Sequence, residues 1–152
     1  PEPSDTPSRN GGTEIGIDPR STFLQLGDAD VNAQPPAMIN LEQLGFSSGD
    51  KITLEQLGEY KPREGYDPST GTIAVFSESD TLLEGTRQLR VPDAIDAGND
   101  VDTKSNIPQD FRIDPSVTIT VPKKATYLFV GALDTYWGDN IDNDDDYRIV
   151  IN

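Results

Sequence analysis

SVTITVPKKATYLFVGAL, residues 116–133, contains the clearest pattern in the chain and decides the expected fold. Apolar residues alternate with polar ones at Val117, Ile119 and Val121, and the alternation resumes at Tyr127 and Phe129 after the turn residues VPKK. A period of two predicts β-strands with one buried and one exposed face. The stretch therefore predicts two strands of half-buried β-sheet.

Similar short patterns occur through the rest of the chain from residue 14 onward, separated by turn signals such as SSGD, STG and DAGND. Strands are predicted at residues 22–26, 37–41, 51–57, 72–77, 110–113, 116–121, 126–133 and 147–151. The best helical candidate, residues 41–44, is short. Many short strands with Gly- and Pro-containing turns predict an all-β, antiparallel β-sandwich of jelly-roll-like form.

The chain of 152 residues is expected to form one domain, residues 14–152, after a linker at residues 1–13. The first 12 residues, PEPSDTPSRNGG, are rich in Pro, Ser and Gly and contain no large apolar residue. This composition predicts a linker to the rest of a larger modular protein, and a disordered tail is equally compatible with it. The pentapeptide LEQLG occurs twice, at 41–45 and 54–58, and is interpreted as two apolar core segments.

Charge excludes several classes of function. The chain has 12 Lys and Arg against 27 Asp and Glu, which gives a net charge of -15. A nucleic-acid partner requires the opposite sign, and an anionic membrane surface is disfavoured for the same reason. No apolar run reaches the roughly 20 residues of a membrane span, so no membrane insertion is expected.

Residue types that carry most enzymatic chemistry are missing as well. The sequence has no Cys and no His, which excludes Cys/His zinc sites, thiol nucleophiles and Ser-His-Asp triads. Carboxylate pairs can hydrolyse glycosides, but nothing in the sequence places two of them across a cleft. An enzyme is therefore not expected.

Aspartates gather near the end of the chain, in GALDTYWGDNIDNDDDYRIVIN, residues 131–152. Six of them fall within 13 residues: Asp134, Asp139, Asp142, Asp144, Asp145 and Asp146. Calcium binds six to eight oxygens of carboxylates, amides and backbone carbonyls, and this loop supplies all three types. A divalent cation would also relieve the repulsion among the carboxylates. The alternative is a solvated acidic hairpin without a specific ion.

Two smaller acidic segments are interpreted as solvated loops, although either is able to hold a further calcium ion. One is GDADVN, with Asp28, Asp30 and Asn32. The other, residues 92–106, contributes the set Asp93, Asp96, Asn99, Asp100 and Asp102.

Four segments follow one another in the order of a known family: SSGDKITLEQLGEY (47–60), KPREGYDPSTGTIAVF (61–76), ATYLFVGALD (125–134) and TYWGDNIDNDDDYRIVI (135–151). In this order the chain resembles the calcium-dependent β-sandwich lectins typified by the galactose-binding lectin of Pseudomonas, and related domains of exported bacterial proteins. The similarity covers residues 39–151. It implies a sandwich with calcium-binding loops and an extracellular or cell-surface location.

The resemblance also implies a set of calcium ligands. Asp134, Asp142 and Asn143 match side-chain ligands of the family, and Asp139 falls where the family uses a backbone carbonyl. Tyr60 is the best match for the carbonyl from the other loop. In this family sugar hydroxyls coordinate the ion directly.

Ligand contacts are expected from a second set of residues that overlaps the first. Asp134 and Asn143 would bind both the ion and the ligand hydroxyls. Tyr136 and Trp137 would stack on a sugar ring, with Tyr66 from the other loop beside them, although Trp137 folding back over the loop is equally compatible.

The sequence departs from the family at the sugar. The segment KPREGYDPSTG (61–71) contains neither the His nor the Gln with which the galactose lectin holds its ligand, so galactose is not implied. The three acids Asp144–Asp146 stand where the family often has small polar residues, and they would allow a second ion.

Three functions remain open from the sequence. The first is a non-catalytic, lectin-like module that binds a cell-surface glycan through its calcium. The second is an adhesin domain whose calcium accepts the carboxylate of a cell-surface peptide. The third is a spacer domain that calcium only rigidifies.

Overall fold

The computed structural model describes residues 12–23, 34–61, 71–82, 91–96, 109–113, 115–132, 142 and 146–152. Within these ranges the chain forms β-strands and turns and contains no helix, so none of the described segments is a helix capable of crossing a membrane. The strands are β1 (Thr13–Gly16), β2 (Ala37–Asn40), β3 (Lys51–Leu57), β4 (Thr72–Ser77), β5 (Ala94–Ile95), β6 (Phe111–Arg112), β7 (Ser116–Thr120), β8 (Tyr127–Ala132) and β9 (Arg148–Ile151).

The strands pair in a nested order, with the first strand in the sequence next to the last one. β1 pairs with β9, β2 with β8, β3 with β7, and β4 with both β5 and β6, always antiparallel. The chain is therefore a long antiparallel ribbon that turns back on itself after β4. Two further antiparallel pairs, β3 with β9 and β4 with β8, roll this ribbon into two sheets.

The sheets have the orders β1-β9-β3-β7 and β2-β8-β4-β5, and β6 also pairs with β4. Successive strands from β1 to β4 alternate between the two sheets, as in a jelly roll. β5 lies against one half of β4 and β6 against the other, so together they occupy the place of one edge strand interrupted by residues 96–110. The all-β antiparallel sandwich predicted from the sequence is confirmed.

The core lies between the two sheets. β3 alternates as the sequence predicts, with Ile52 and Leu54 fully buried and Glu55 exposed. β4 is buried along its whole length, which is typical of a central strand covered on both faces. β3 is an interior strand of one sheet, and β4 is an interior strand of the other.

Several predicted boundaries differ from the structure. β1 begins at Thr13, which is 4% exposed and lies at the end of the segment predicted as a linker. β1 and the two-residue β5 were not predicted. Thr22 and Phe23 were expected in a strand and are not in one, and residues 41–44 form hydrogen-bonded turns instead of a short helix.

Strand directions sort the connections between the strands into two groups. We call the acidic end the edge of the sandwich reached by the connections 17–36, 58–71, 113–115 and 133–147. Here Arg148, the first residue of β9, pairs with Gly16 and with Leu57. We call the turn end the opposite edge, which holds the connections 41–50, 78–93 and 121–126.

Candidate functional site at the acidic end

Acidic residues are distributed unequally between the two ends. The four connections of the acidic end contain 13 acidic and three basic residues in the sequence. The three connections of the turn end contain six acidic and four basic residues. Four of the 13 acidic residues are described, namely Asp18, Glu59, Asp142 and Asp146, and they come from three connections that are far apart along the chain.

Asp142 is a described aspartate whose two carboxylate oxygens have different surroundings. It lies five residues before Tyr147, and its Oδ2 accepts a hydrogen bond from the backbone N–H of Tyr147 at 2.9 Å. Its Oδ1 is shielded from solvent, and none of the described residues donates a hydrogen bond to it. One carboxylate oxygen is therefore fixed, and the other is shielded and has no donor among the described residues.

An unsatisfied carboxylate oxygen is unfavourable in a folded protein. Leaving a buried acceptor without a donor costs about 1–3 kcal/mol, and more when the group is charged. Native proteins keep few such atoms, and a bound ion is one of the ordinary explanations. A hard cation would satisfy Oδ1 of Asp142 and leave its bond to Tyr147 in place.

Two other side-chain oxygens in the described ranges share this property. They are Oε1 of Gln109 and Oδ1 of Asp110, and Asp110 has other partners. Both residues directly precede β6, which pairs with β4 at Ile73 and Ala74.

Asp146 joins this segment to the end of β3. Its Oδ1 accepts a long hydrogen bond of 3.4 Å from the N–H of Glu59. Gly58 has a φ of 74°, and a Cβ at this position would overlap the carbonyl oxygen of Asp146. Only glycine permits this approach of the two backbones, so Gly58 sets the distance between the β3–β4 connection and the acidic segment.

Arg148 is the cation nearest to these acids in the sequence, but its guanidinium contacts other groups. Its Nη1 donates to the carbonyl oxygen of Asp146 at 2.7 Å, and its Nε donates to Glu14 at 2.8 Å. The ion pair with Glu14 is solvent-exposed and therefore contributes little to stability. These contacts hold β1 and β9 together and leave the carboxylate of Asp142 to another partner.

Tyr60 and Tyr147 form a buried aromatic pair next to Asp142 and Asp146, which we call the floor. Both are 2% exposed, and their ring centroids lie 4.9 Å apart at an interplanar angle of 46°. The hydroxyl groups of both donate to the carbonyl oxygen of Gly71, at 3.4 Å from Tyr60 and 3.1 Å from Tyr147. The floor therefore connects the acidic segment to both ends of the β3–β4 connection.

Buried polar side chains continue this floor, and no pattern in the sequence indicates them. The Tyr147 hydroxyl lies 2.7 Å from Oγ1 of Thr72, which in turn hydrogen-bonds Oε1 of Gln56. Gln56 donates from Nε2 to the carbonyl of Gly58 at 3.1 Å. Thr72 and Gln56 are only 0% and 9% exposed, and their positions in β4 and β3 look like ordinary strand positions. Only the pairing of the strands reveals the cluster.

The predicted site residues divide into two groups. Asp142 and Tyr60 are described, and both contact Tyr147, so the structure brings them together. Outside the described residues lie Asp134, Tyr136, Trp137, Asp139, Asn143 and Tyr66, together with Asp144 and Asp145. The coordination of calcium by the Tyr60 carbonyl stays a prediction. Within the described part of the chain, no three acidic, His or Cys residues form a group able to hold a metal.

The smaller acidic segments are described only in part. Asp28, Asp30 and Asn32 lie outside the described residues, as do Asn99, Asp100 and Asp102. Asp93 is described, and its Oδ2 accepts a hydrogen bond of 2.5 Å from the Ser79 hydroxyl, which fits a turn-stabilising role at the turn end.

No family model, no curated protein and no solved structure matches this chain in the three comparisons. The resemblance to calcium-dependent lectins stays a prediction from the sequence.

Proposed function

We propose that this chain is a non-catalytic, calcium-dependent binding module that holds its ligand at the acidic end. The observation that carries the proposal is the carboxylate of Asp142, with one oxygen fixed by Tyr147 and the other shielded and without a donor. Such an oxygen is positioned to coordinate a cation and has no other described partner to give up.

Calcium is the cation that suits these groups best. The acidic end supplies carboxylates and backbone carbonyls and no thiol or imidazole, because the sequence has no Cys and no His. We assign the remaining ligands as the sequence predicts: Asp134, Asp139, Asn143 and the carbonyl of Tyr60.

A sugar is the ligand class that we favour, with its hydroxyls on open coordination positions of the ion. Arg148 already donates to Glu14 and to the Asp146 carbonyl, so its guanidinium is engaged by groups of the chain itself. A neutral hydroxyl pair meets no repulsion from the many aspartates, whereas a peptide carboxylate does. Tyr136, Trp137 and Tyr66 are the proposed contacts to the sugar ring.

The same proposal places the module on a cell surface, within a larger modular protein. Two features support this location: the Pro- and Ser-rich residues 1–11 and the strongly acidic composition. Extracellular calcium sites work at about 0.1–1 mM, and a loop site of this kind needs no tighter binding there.

The first test is calcium binding by the purified chain, measured by isothermal titration calorimetry and by thermal unfolding with and without EDTA. A glycan array and an array of peptide C-termini, both run with calcium, then identify the ligand class. We expect glycan binding that disappears in EDTA.

Each outcome of the arrays has a distinct meaning. Glycan binding that persists in excess EDTA would overturn the role of the ion. Binding on the peptide array alone would replace the sugar by a carboxylate ligand. Calcium binding without any array signal would leave a calcium-rigidified spacer as the function.

A further inference from the structure

We infer that Tyr147 is the positioning residue of this site, and that a buried hydrogen-bond chain through Thr72 and Gln56 fixes the Asp142 carboxylate against the β3–β4 connection. The inference rests on the proposed calcium site and adds how that site is held. It assigns a role to three side chains that do not themselves contact the ion.

Tyr147 is fastened by both its backbone and its side chain. Its N–H holds Oδ2 of Asp142 at 2.9 Å, and its carbonyl accepts from the N–H of Ile17 at 3.0 Å. Its ring packs on Tyr60, and its hydroxyl lies 2.7 Å from Oγ1 of Thr72. A residue held at so many points presents its N–H to Asp142 in one orientation.

Proton accounting gives the chain a direction. Thr72 has one hydroxyl proton, which it donates to Oε1 of Gln56, so its own oxygen is left to accept from the Tyr147 hydroxyl. Gln56 then donates from Nε2 to the carbonyl of Gly58. The Tyr147 hydroxyl also lies 3.1 Å from the Gly71 carbonyl, which accepts from Tyr60 as well, so its single proton is shared between Gly71 and the nearer oxygen of Thr72. Hydrogen bonds aligned head to tail in this way strengthen one another.

The chain of hydrogen bonds ends at Gly58, where the backbones of β3 and of the acidic segment meet. Gly58 packs on the carbonyl of Asp146, the residue that directly precedes Tyr147. The path from Tyr147 through Thr72 and Gln56 to Gly58 therefore returns to its starting point and forms a closed circuit. The circuit ties the segment carrying Asp142 to the start of the β3–β4 connection, where Tyr60 lies.

This arrangement is the kind that tunes a metal site from outside its ligands. Groups that hold a ligand through hydrogen bonds fix its orientation, and their loss typically weakens metal binding about 10- to 100-fold. Gln56 lies in β3 and Thr72 in β4, and Tyr147 directly precedes β9, so the circuit connects strands of both sheets. Rigid elements hold a site more accurately than loops do.

The test compares the loss of a hydroxyl in this chain of hydrogen bonds with its retention. Tyr147→Phe removes the hydroxyl that starts the chain. Thr72→Val removes the central hydroxyl at nearly constant volume, and Thr72→Ser restores a hydroxyl. Calcium affinity by calorimetry is the main readout, with amide hydrogen exchange of the Tyr147 N–H in the calcium-free protein as the second.

We expect Tyr147→Phe and Thr72→Val to weaken calcium binding about 10-fold and to speed exchange of the Tyr147 N–H. Thr72→Ser should bind within about twofold of the unchanged chain. Because the chain acts as one unit, the double variant Tyr147→Phe/Thr72→Val should lose little more affinity than either change alone.

The outcomes separate this inference from the proposed function. If the unchanged chain binds no calcium, the proposed function fails first. If it binds calcium and Tyr147→Phe and Thr72→Val bind equally well, the positioning role is overturned while the calcium site stands. If Tyr147→Phe does not fold, the Thr72→Val and Thr72→Ser pair decides, because valine keeps the shape of threonine and serine keeps its hydroxyl.

Discussion

The pentapeptide LEQLG occurs twice, and its two copies lead to opposite ends of the molecule. At residues 41–45 it forms hydrogen-bonded turns at the turn end, whereas at residues 54–58 it completes β3 and reaches the acidic end. The final glycine has a positive φ in both copies, 86° at Gly45 and 74° at Gly58. Identical local sequence thus takes two conformations, and strand pairing decides between them.

The two ends also differ in how they satisfy their polar groups. At the turn end, Asp50 accepts the N–H of Ser47 through Oδ2 at 2.8 Å, and Asn40 accepts the N–H of Gln43 at 3.2 Å. These side chains complete turns, and Asp50 is exposed to water. At the acidic end, Asp142 accepts an N–H in the same manner but keeps a shielded oxygen without a donor. The first arrangement completes a turn, and the second is the one that we propose coordinates an ion.

The largest effect is expected from the two glycines of the repeat. Gly58→Ala places a methyl group on the Asp146 carbonyl at a positive φ and should destabilise the domain by about 3 kcal/mol. Gly45→Ala has the same strain in φ but no neighbour within 4 Å, so we expect about 1 kcal/mol. Chemical denaturation of both variants measures the difference.

Equal losses of stability from Gly58→Ala and Gly45→Ala would contradict the comparison. They would mean that backbone strain alone determines both costs and that the approach of Gly58 to Asp146 relaxes freely.

The next effect concerns two aspartates that make the same hydrogen bond. Asp142→Asn keeps an acceptor for the Tyr147 N–H but removes the charge that we assign to calcium. At a calcium concentration 100 times the dissociation constant, the unchanged chain gains about 2.7 kcal/mol, or roughly 5–10 °C in melting temperature. We expect Asp142→Asn to lose this gain, and Asp50→Asn to retain it.

Without calcium, Asp142→Asn is expected to have the opposite effect on stability. Asp142→Asn removes a negative charge whose Oδ1 is dry and lies in an acidic segment, so it should be as stable as the unchanged chain or slightly more stable in EDTA. A clear loss of stability in EDTA would show that the charge already has a favourable partner. Asp142 would then be a structural residue, like Asp50.

Strand periodicity was sufficient for the sandwich but not for every strand. The alternation in β3 and β7 follows burial on one face, so the sequence located both closely. β5 has only two residues, Ala94 and Ile95, and is defined by its pairing with Phe76 and Ser77. No pattern of two residues predicts a strand. The turns at 41–45 likewise depend on contacts that the repeat LEQLG does not encode.

The candidate site, like the strands, was predicted from the sequence only in part. Clustered aspartates identified the acidic segment, and the structure places the predicted residues Asp142 and Tyr60 around Tyr147. The buried chain through Thr72 and Gln56 was missed, because its members lie in β4, in β3 and directly before β9 and meet only after the sheets form. Long-range polar contacts leave no period in a sequence.

The smallest effect is expected at the turn VPKK of the turn end. Lys124 is the single non-glycine residue with positive φ among the described residues, at 71°, and the N–H of Ala125 closes the turn onto Pro122 at 3.1 Å. Lys124→Gly removes the strain of about 1 kcal/mol but frees the unfolded chain, so a net gain of about 0.5 kcal/mol is expected. Lys123→Gly removes the same charge where φ is not positive and should destabilise by about 0.5–1 kcal/mol.

Denaturation and calcium titration of these two lysine variants complete the comparison of the ends. Opposite signs in stability would show that backbone conformation, and not the loss of a positive charge from an acidic protein, governs this turn. Equal changes in stability for Lys124→Gly and Lys123→Gly would indicate that the loss of a positive charge governs this turn. Calcium affinity should stay within about twofold in both, because screening at physiological salt limits charge effects to about 8 Å and the turn lies at the opposite end of the sandwich. A larger change would mean that the two ends are coupled through β8, which begins at this turn and leads to the acidic end.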